Sequence, residues 1–350
     1  MGQTEVLEWL YQNGGPAIRQ RVCADLGYPG RVHTLSNLLN SPLVMTWLER
    51  LRGDFGFNQL HGATPEAFEN VMGKLTQLGL RAGIQPFDLR LRPYLDWFRQ
   101  QADQAALSEF SWRPFLSMLA APFLMRAGYF EERALIEYAA QRLETLYQFC
   151  RQGRYDIYVD PADFKGIPKA FRGRPLVDPE LTPGGEYRFP TIYDMHLLAN
   201  LPDRLVGENG QQKIDTIVDY VLHSDYQALP EGYGIMVGGS RKYYAVGWSV
   251  HLPGYSGEPE APFMQRAYLH RLVLMSHFRP ARNHRWLREG VAFFDQFRTD
   301  EGRYRIPRQY LAEERNGCWV FGSYMGLEEN RRTKIALELE STFWMLKFIK

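Results

Sequence analysis

Gly153-Arg154-Tyr155-Asp156-Ile157-Tyr158 places a glycine and an aromatic just behind a segment whose apolar residues recur at helical spacing. The pattern returns as Gly232-Tyr233-Gly234-Ile235-Met236-Val237 and as Gly302-Arg303-Tyr304-Arg305-Ile306-Pro307. A looser form, Asp54-Phe55-Gly56-Phe57, lies near the start. Each copy follows one helix-like segment and precedes another, which predicts an array of helix pairs with a fixed connector.

The flanking segments come in two kinds. Pro114 to Arg126 is almost wholly apolar, whereas residues 131–151 carry Leu135, Tyr138, Ala139, Leu143, Leu146 and Phe149 on one stripe among Glu and Arg. The same contrast recurs between Thr191–Leu201 and Lys213–His223, and again between Phe263–Phe278 and Arg285–Phe297. Arg331 to Lys350 is apolar nearly all round. Enclosed helices alternating with one-sided ones predict an inner and an outer layer. Shorter helices are expected at 4–12, at 16–26 after Gly14-Gly15-Pro16, from Ser41-Pro42 to Leu51, from Pro65 to Leu80, and from Phe87 to Gln101.

Residues 160–190 interrupt this rhythm with Pro161, Pro168, Pro175, Pro179, Pro183 and Pro190. That density excludes a regular helix, and a loop this long reads either as a lid or binding loop or as a solvated connector. Lys165, Lys169, Arg172 and Arg174 make it basic, suited to gripping a diphosphate or carboxylate. The chain as a whole is balanced, 41 Lys+Arg against 40 Asp+Glu, which argues against a nucleic-acid partner. Cys23, Cys150 and Cys318 are sparse and unpaired in spacing, the start lacks a signal-peptide pattern, and no apolar run approaches the ~20 residues of a spanning helix. The expectation is a cytoplasmic protein without a transmembrane segment.

The alternation with Gly-aromatic turns such as Asp300-Glu301-Gly302-Arg303-Tyr304 resembles the α/α-toroid of terpenoid cyclases and protein prenyltransferases, over roughly residues 40–350. The resemblance implies an all-α fold: a double-layered helical barrel of repeated helix pairs with short aromatic β-like turns. The whole of 1–350 is then one toroid-like domain, with 1–40 as an N-terminal helical extension. Six-hairpin carbohydrate-active enzymes share that general layout. Neither family chemistry carries over residue by residue. The Asp-x-Asp-Asp acid motif is missing, since Asp156, Asp160 and Asp163 have the wrong spacing, and Cys318 follows Asn316-Gly317 instead of the prenyltransferase Asp-x-Cys. A nucleophile elbow, an HExxH and a GxGxxG are also absent.

Candidate acids and bases follow from where charge falls on apolar helices. Arg266, His270, Val273 and His277 share a stripe of the 263–278 segment. If that helix is inner, the stripe faces a lumen and serves proton transfer (His270) or anion binding; if not, it is a solvated outer stripe. The two histidines are seven residues, ~10 Å, apart, too far to share one metal ion. Tyr193, Asp194 and His196 open another apolar helix. There Asp194 reads as an acid or as part of a capping box with Thr191, and His196 as a ligand contact or a satisfied core group. Glu338 lies with Thr342, Met345 and Ile349 on the last helix, where burial would raise its pKa towards general-acid values, while Glu340, nearer Lys347, reads as a solvated charge. Asp160 and Asp163 are alternative acids on the loop. Tyr243, Tyr244 and His251, with Lys242 and His61, lie in glycine-rich connectors and are rim candidates.

Together these readings predict an aromatic-walled pocket for a small apolar or diphosphate-bearing molecule, without cofactor or metal. A terpenoid-cyclase-like or prenyltransferase-like activity, with acid-initiated cyclisation or isomerisation, is the first expectation. A glycan hydrolase or lyase and a non-catalytic binding scaffold are the other two.

Overall fold

The computed structural model describes residues 2–30, 34–102, 109–257 and 261–349. Residues 31–33 of the expected N-terminal extension lie outside them, as do Lys350 and the side chain of Ile349 in the last expected helix. The chain is helix-rich and divides into two compact units: Met1–Pro93 with Pro253–His277 and Arg282–Lys350, and Tyr94–Leu252 with Phe278–Ala281.

The first unit opens with α1 (Gln3–Asn13), α2 (Pro16–Leu26), α3 (Thr34–Leu39), α4 (Pro42–Leu48), α5 (Phe57–Leu60) and α6 (Phe68–Leu78). Pro16 and Pro42 sit in first turns, where a missing N–H costs nothing, and the Ser41 hydroxyl accepts from Val44 N. Every residue of α6 is buried, so its polar side chains must all find partners. Asn70 donates to the carbonyls of Gly62, Thr64 and Gly317 and accepts from Trp319 N. Lys74 donates to Glu313 and to the carbonyls of Tyr324 and Gly326. Gly73 is obligatory beside them, because an added Cβ would lie 2.2 Å from the Trp319 ring.

α7 (Gln85–Ala102) leads into the second unit, which continues with α8 (Arg113–Ala127) and α9 (Arg133–Cys150). After β1 (Tyr158–Val159) and β2 (Leu176–Val177) come α10 (Ile192–Leu198), α11 (Asp203–Leu222) and α12 (Ser224–Gln227), then β3 (Gly234–Gly239) and β4 (Lys242–Val246). Within this unit α8 packs on α10, α9 on α11 and α8 on α9; α8 and α10 are mostly buried, whereas α9 and α11 are amphipathic. The sheet corrects the all-α expectation. Its order is β1-β2-β3-β4, with β2 parallel to β3 and both other pairs antiparallel. Two-residue strands and a glycine-rich hairpin give too little alternation to show in sequence.

The chain returns to the first unit through α13 (Pro262–Met275), α14 (Arg279–Asn283), α15 (Arg285–Asp295) and α16 (Lys334–Ile349). The recurrent glycines share one backbone state. Gly153, Gly232 and Gly302 have φ of 63°, 73° and 78°, a left-handed turn that glycine adopts without steric penalty. In the last copy the turn docks on α16: Tyr304 N donates to Thr342 Oγ1 and Ile306 N to Ser341 Oγ.

Glu328 sits where α1 meets α2, its Oε1 accepting from Gly15 N at 2.7 Å. Burial pushes its carboxyl up to about 7; the Gly15 N–H opposes the shift and nearby Glu340 adds to it. The folded chain therefore keeps a proton that the unfolded chain releases near pH 4.3, so stability falls as pH rises from there towards 7. The expected loss between pH 5 and 8 is on the order of 2 kcal/mol, allowing for partial solvent screening. Glu328→Gln keeps the acceptor and should flatten that part of the profile. Urea midpoints measured at both ends of the range for both proteins check this, and equal slopes would remove the assignment.

Candidate functional site

The second unit holds the site with the most chemistry in one place. At the start of α8, Phe110 stacks on Tyr244 of β4 (4.8 Å, 20°) and Trp112 meets the same ring edge-on at 4.7 Å. Tyr244 is held over Gly238 across the hairpin, where an added Cβ would lie 2.1 Å from its ring. Trp112 leads to Phe115 (5.9 Å), and Phe115 contacts both Tyr187 and Tyr193. Tyr193 in turn meets Trp248 at 5.4 Å. Trp248 has φ +74°, an uncommon state for a bulky residue, and its carbonyl accepts from Ile192 N at the start of α10.

Beside this aromatic surface a cleft of about 220 Å³ opens between α7, α8, α9 and the segment before α10. Phe98, Phe115, Tyr138 and Tyr187 give it apolar walls, and Arg113 and Glu186 add charge. Burial pushes the Tyr138 and Tyr187 phenols well up, so both remain O–H donors at neutral pH.

Arg142 lines the cleft and is the group that fixes it. It lies on the buried stripe of α9 and binds Asp194 through Nε (2.7 Å) and Nη2 (2.8 Å). It also donates to the carbonyls of Tyr187 and Phe189, which sets the course of the segment leading into α10. Burial works against its charge, but the Asp194 carboxylate outweighs it and raises the arginine pKa further. Asp194 completes the capping box, accepting from Thr191 N and Thr191 Oγ1 at 2.8 Å.

The other nominated residues are dispersed. Glu338 is clamped by Arg303 (3.0 Å) and Arg305 (2.9 Å), which ties the Gly302 turn to α16. His270 is buried edge-on against Trp319 at 4.5 Å, and Arg266 pairs with Glu314. His277 is exposed and lines a separate cleft of about 410 Å³ with Asp25, Arg282 and Lys347 in the first unit. His196 is buried in α10. His251 bridges Ser249 Oγ and the Leu229 carbonyl, both at 2.7 Å. Tyr243 donates to the Lys165 carbonyl. Asp160 caps the turn at Ala162, and Asp163, Lys165, Lys169 and Arg172 are exposed.

Of the nominees, Tyr193, Asp194 and Tyr244 touch the aromatic surface or the wall of the cleft. Arg113, Phe115, Arg142, Glu186, Tyr187 and Trp248 are absent from the sequence-based choice. Only Arg142 carried a signal: it occupies the helical stripe of Leu135, Ala139, Leu146 and Phe149, where a guanidinium demands a buried partner. No family model, curated protein or solved structure matches the chain.

Proposed function

We propose that the chain is an α/α-toroid-like protein that binds a small molecule with an apolar body and a hydrogen-bonding head in the cleft of the Tyr94–Leu252 unit. The alternation of enclosed α8 and α10 with one-sided α9 and α11 supports the toroid part of this reading. The cleft lining carries the ligand part. Two phenylalanines and two tyrosines give apolar contact, while the phenols, Arg113 and Glu186 are placed for a polar end. Its volume is below the ~300–1,000 Å³ usual for ligand sites, so the ligand is small or only partly inserted. Glycan cleavage is the weaker reading, because it asks for two carboxylates facing each other. Asp194 is held behind Arg142, which leaves Glu186, among the described residues, as the carboxylate lining the cleft.

Titration with geraniol, geranyl diphosphate and cellobiose, followed by tryptophan fluorescence and native mass spectrometry, separates the readings. The expected result is binding of geraniol or its diphosphate, weakened about tenfold or more by Ser117→Phe, which fills the cleft from α8. Cellobiose binding alone, or geraniol binding untouched by the plug, would overturn the assignment.

A further inference from the structure

The proline-rich loop and the β3–β4 hairpin present a cluster of exposed cations. Lys165, Lys169, Arg172, Arg174, Arg241 and Lys242 are all exposed. Among the described residues none of the six makes an ion pair; Arg174 lies over the Phe171 ring at 5.7 Å. Residues 164–177 of the loop carry four of these cations and no carboxylate, and the hairpin has no carboxylate either. Asp160 and Asp163 precede that stretch and Asp178, Glu180 and Glu186 follow it, so the basic character is local to 164–177 and the hairpin.

These cations stand on a rigid base. Leu176, Ile235 and Tyr243 form a small apolar cluster, and Phe164, Ile167, Phe171 and Val237 pack against it. The loop thus lies over the face of the sheet opposite the one that carries Met236 and Tyr244. Tyr243 Oη donates to the Lys165 carbonyl at 2.9 Å, and Gly166 abuts the Arg241 side chain. Pro168 and Pro175 restrict the backbone between. The apolar side chains point into the sheet and the charged ones into water.

We infer that this loop-and-hairpin face docks on a membrane surface rich in anionic headgroups. A small anion would be gripped by converging, partly buried donors, whereas these six are exposed and spread over two segments. A single-stranded nucleic acid would want aromatic faces for its bases, and the phenylalanines here are turned into the cluster. A charged bilayer needs only a fixed array of cations, and it rewards each with about fivefold in partitioning at low salt.

The test is flotation of the full chain with phosphatidylcholine vesicles, with or without about one-third phosphatidylserine, at about 0.1 M and 0.5 M salt. The expected result is binding to the anionic vesicles alone, lost at the higher salt. Lys165→Glu/Lys169→Glu/Arg172→Glu should weaken it about a hundredfold or more. The charge-matched control Arg133→Glu/Arg204→Glu/Arg279→Glu, all exposed and elsewhere on the unit, should change it far less. Circular dichroism confirms that both variants remain folded. Failure to float with anionic vesicles, equal flotation with neutral ones, an equal loss in the control, or tighter binding to duplex DNA through the same three residues would each overturn the inference.

Discussion

Asp194→Asn should destabilise the chain by about 3–5 kcal/mol, because it leaves the Arg142 guanidinium buried without its counter-charge. Arg142 and Asp194 are 4% and 1% exposed, so water cannot take the partner's place. The asparagine keeps an acceptor for Thr191, which confines the change mainly to charge. Thr191→Ala, which removes one capping contact, should cost only about 1 kcal/mol. Arg142→Met combined with Asp194→Leu should recover much of the loss, since paired apolar replacements remove the unmatched charge. Urea denaturation of the four proteins checks the argument. A cost for Asp194→Asn no larger than that of Thr191→Ala would mean that the pair is not what holds the start of α10 against α9.

The second large effect concerns Glu340. Helical spacing reads it as a solvated charge, and the structure corrects this: it is fully buried. Its Oε1 accepts from the backbone N–H groups of Leu327 and Glu328, and Arg331 reaches both carboxylate oxygens. Glu340→Ala should therefore cost about 3–5 kcal/mol, because the buried Leu327 N–H and the half-buried Glu328 N–H lose their acceptor and the Arg331 guanidinium loses its counter-charge. Glu338, two residues earlier, is the contrast. It pairs with Arg303 and Arg305, but the Arg305 side chain is 65% exposed and solvent can replace much of that contact. Glu338→Ala should cost about 1–2 kcal/mol. Chemical denaturation of both variants tests the order, and a larger effect at Glu338 would overturn this account of α16.

Where helices run was legible because periodicity is a local property. The apolar Pro114–Arg126 segment is α8, the stripe over 131–151 is α9, and Gly79 and Gly128 stop α6 and α8 in the left-handed conformation. Thr191 and Asp194 form the capping box that their three-residue spacing announces. The β3–β4 hairpin was not legible, because Gly234, Gly238 and Gly239 interrupt the alternation that marks a strand. The cleft was legible least of all. Its walls come from α7, α8, α9 and the approach to α10, and no spacing rule links Phe98, Arg113 and Glu186.

By itself the sequence determined which segments coil, which of their faces are apolar and where glycine reverses the chain, since each depends on neighbours within about four residues. The tertiary structure decided the fate of each buried charge, because the partner lies far along the chain: Asp194 is 52 residues from Arg142, and Glu313 is 239 from Lys74. A carboxylate on an apolar stripe is a demand for a partner. Folding alone decides whether an arginine, a run of backbone N–H groups or a ligand meets it.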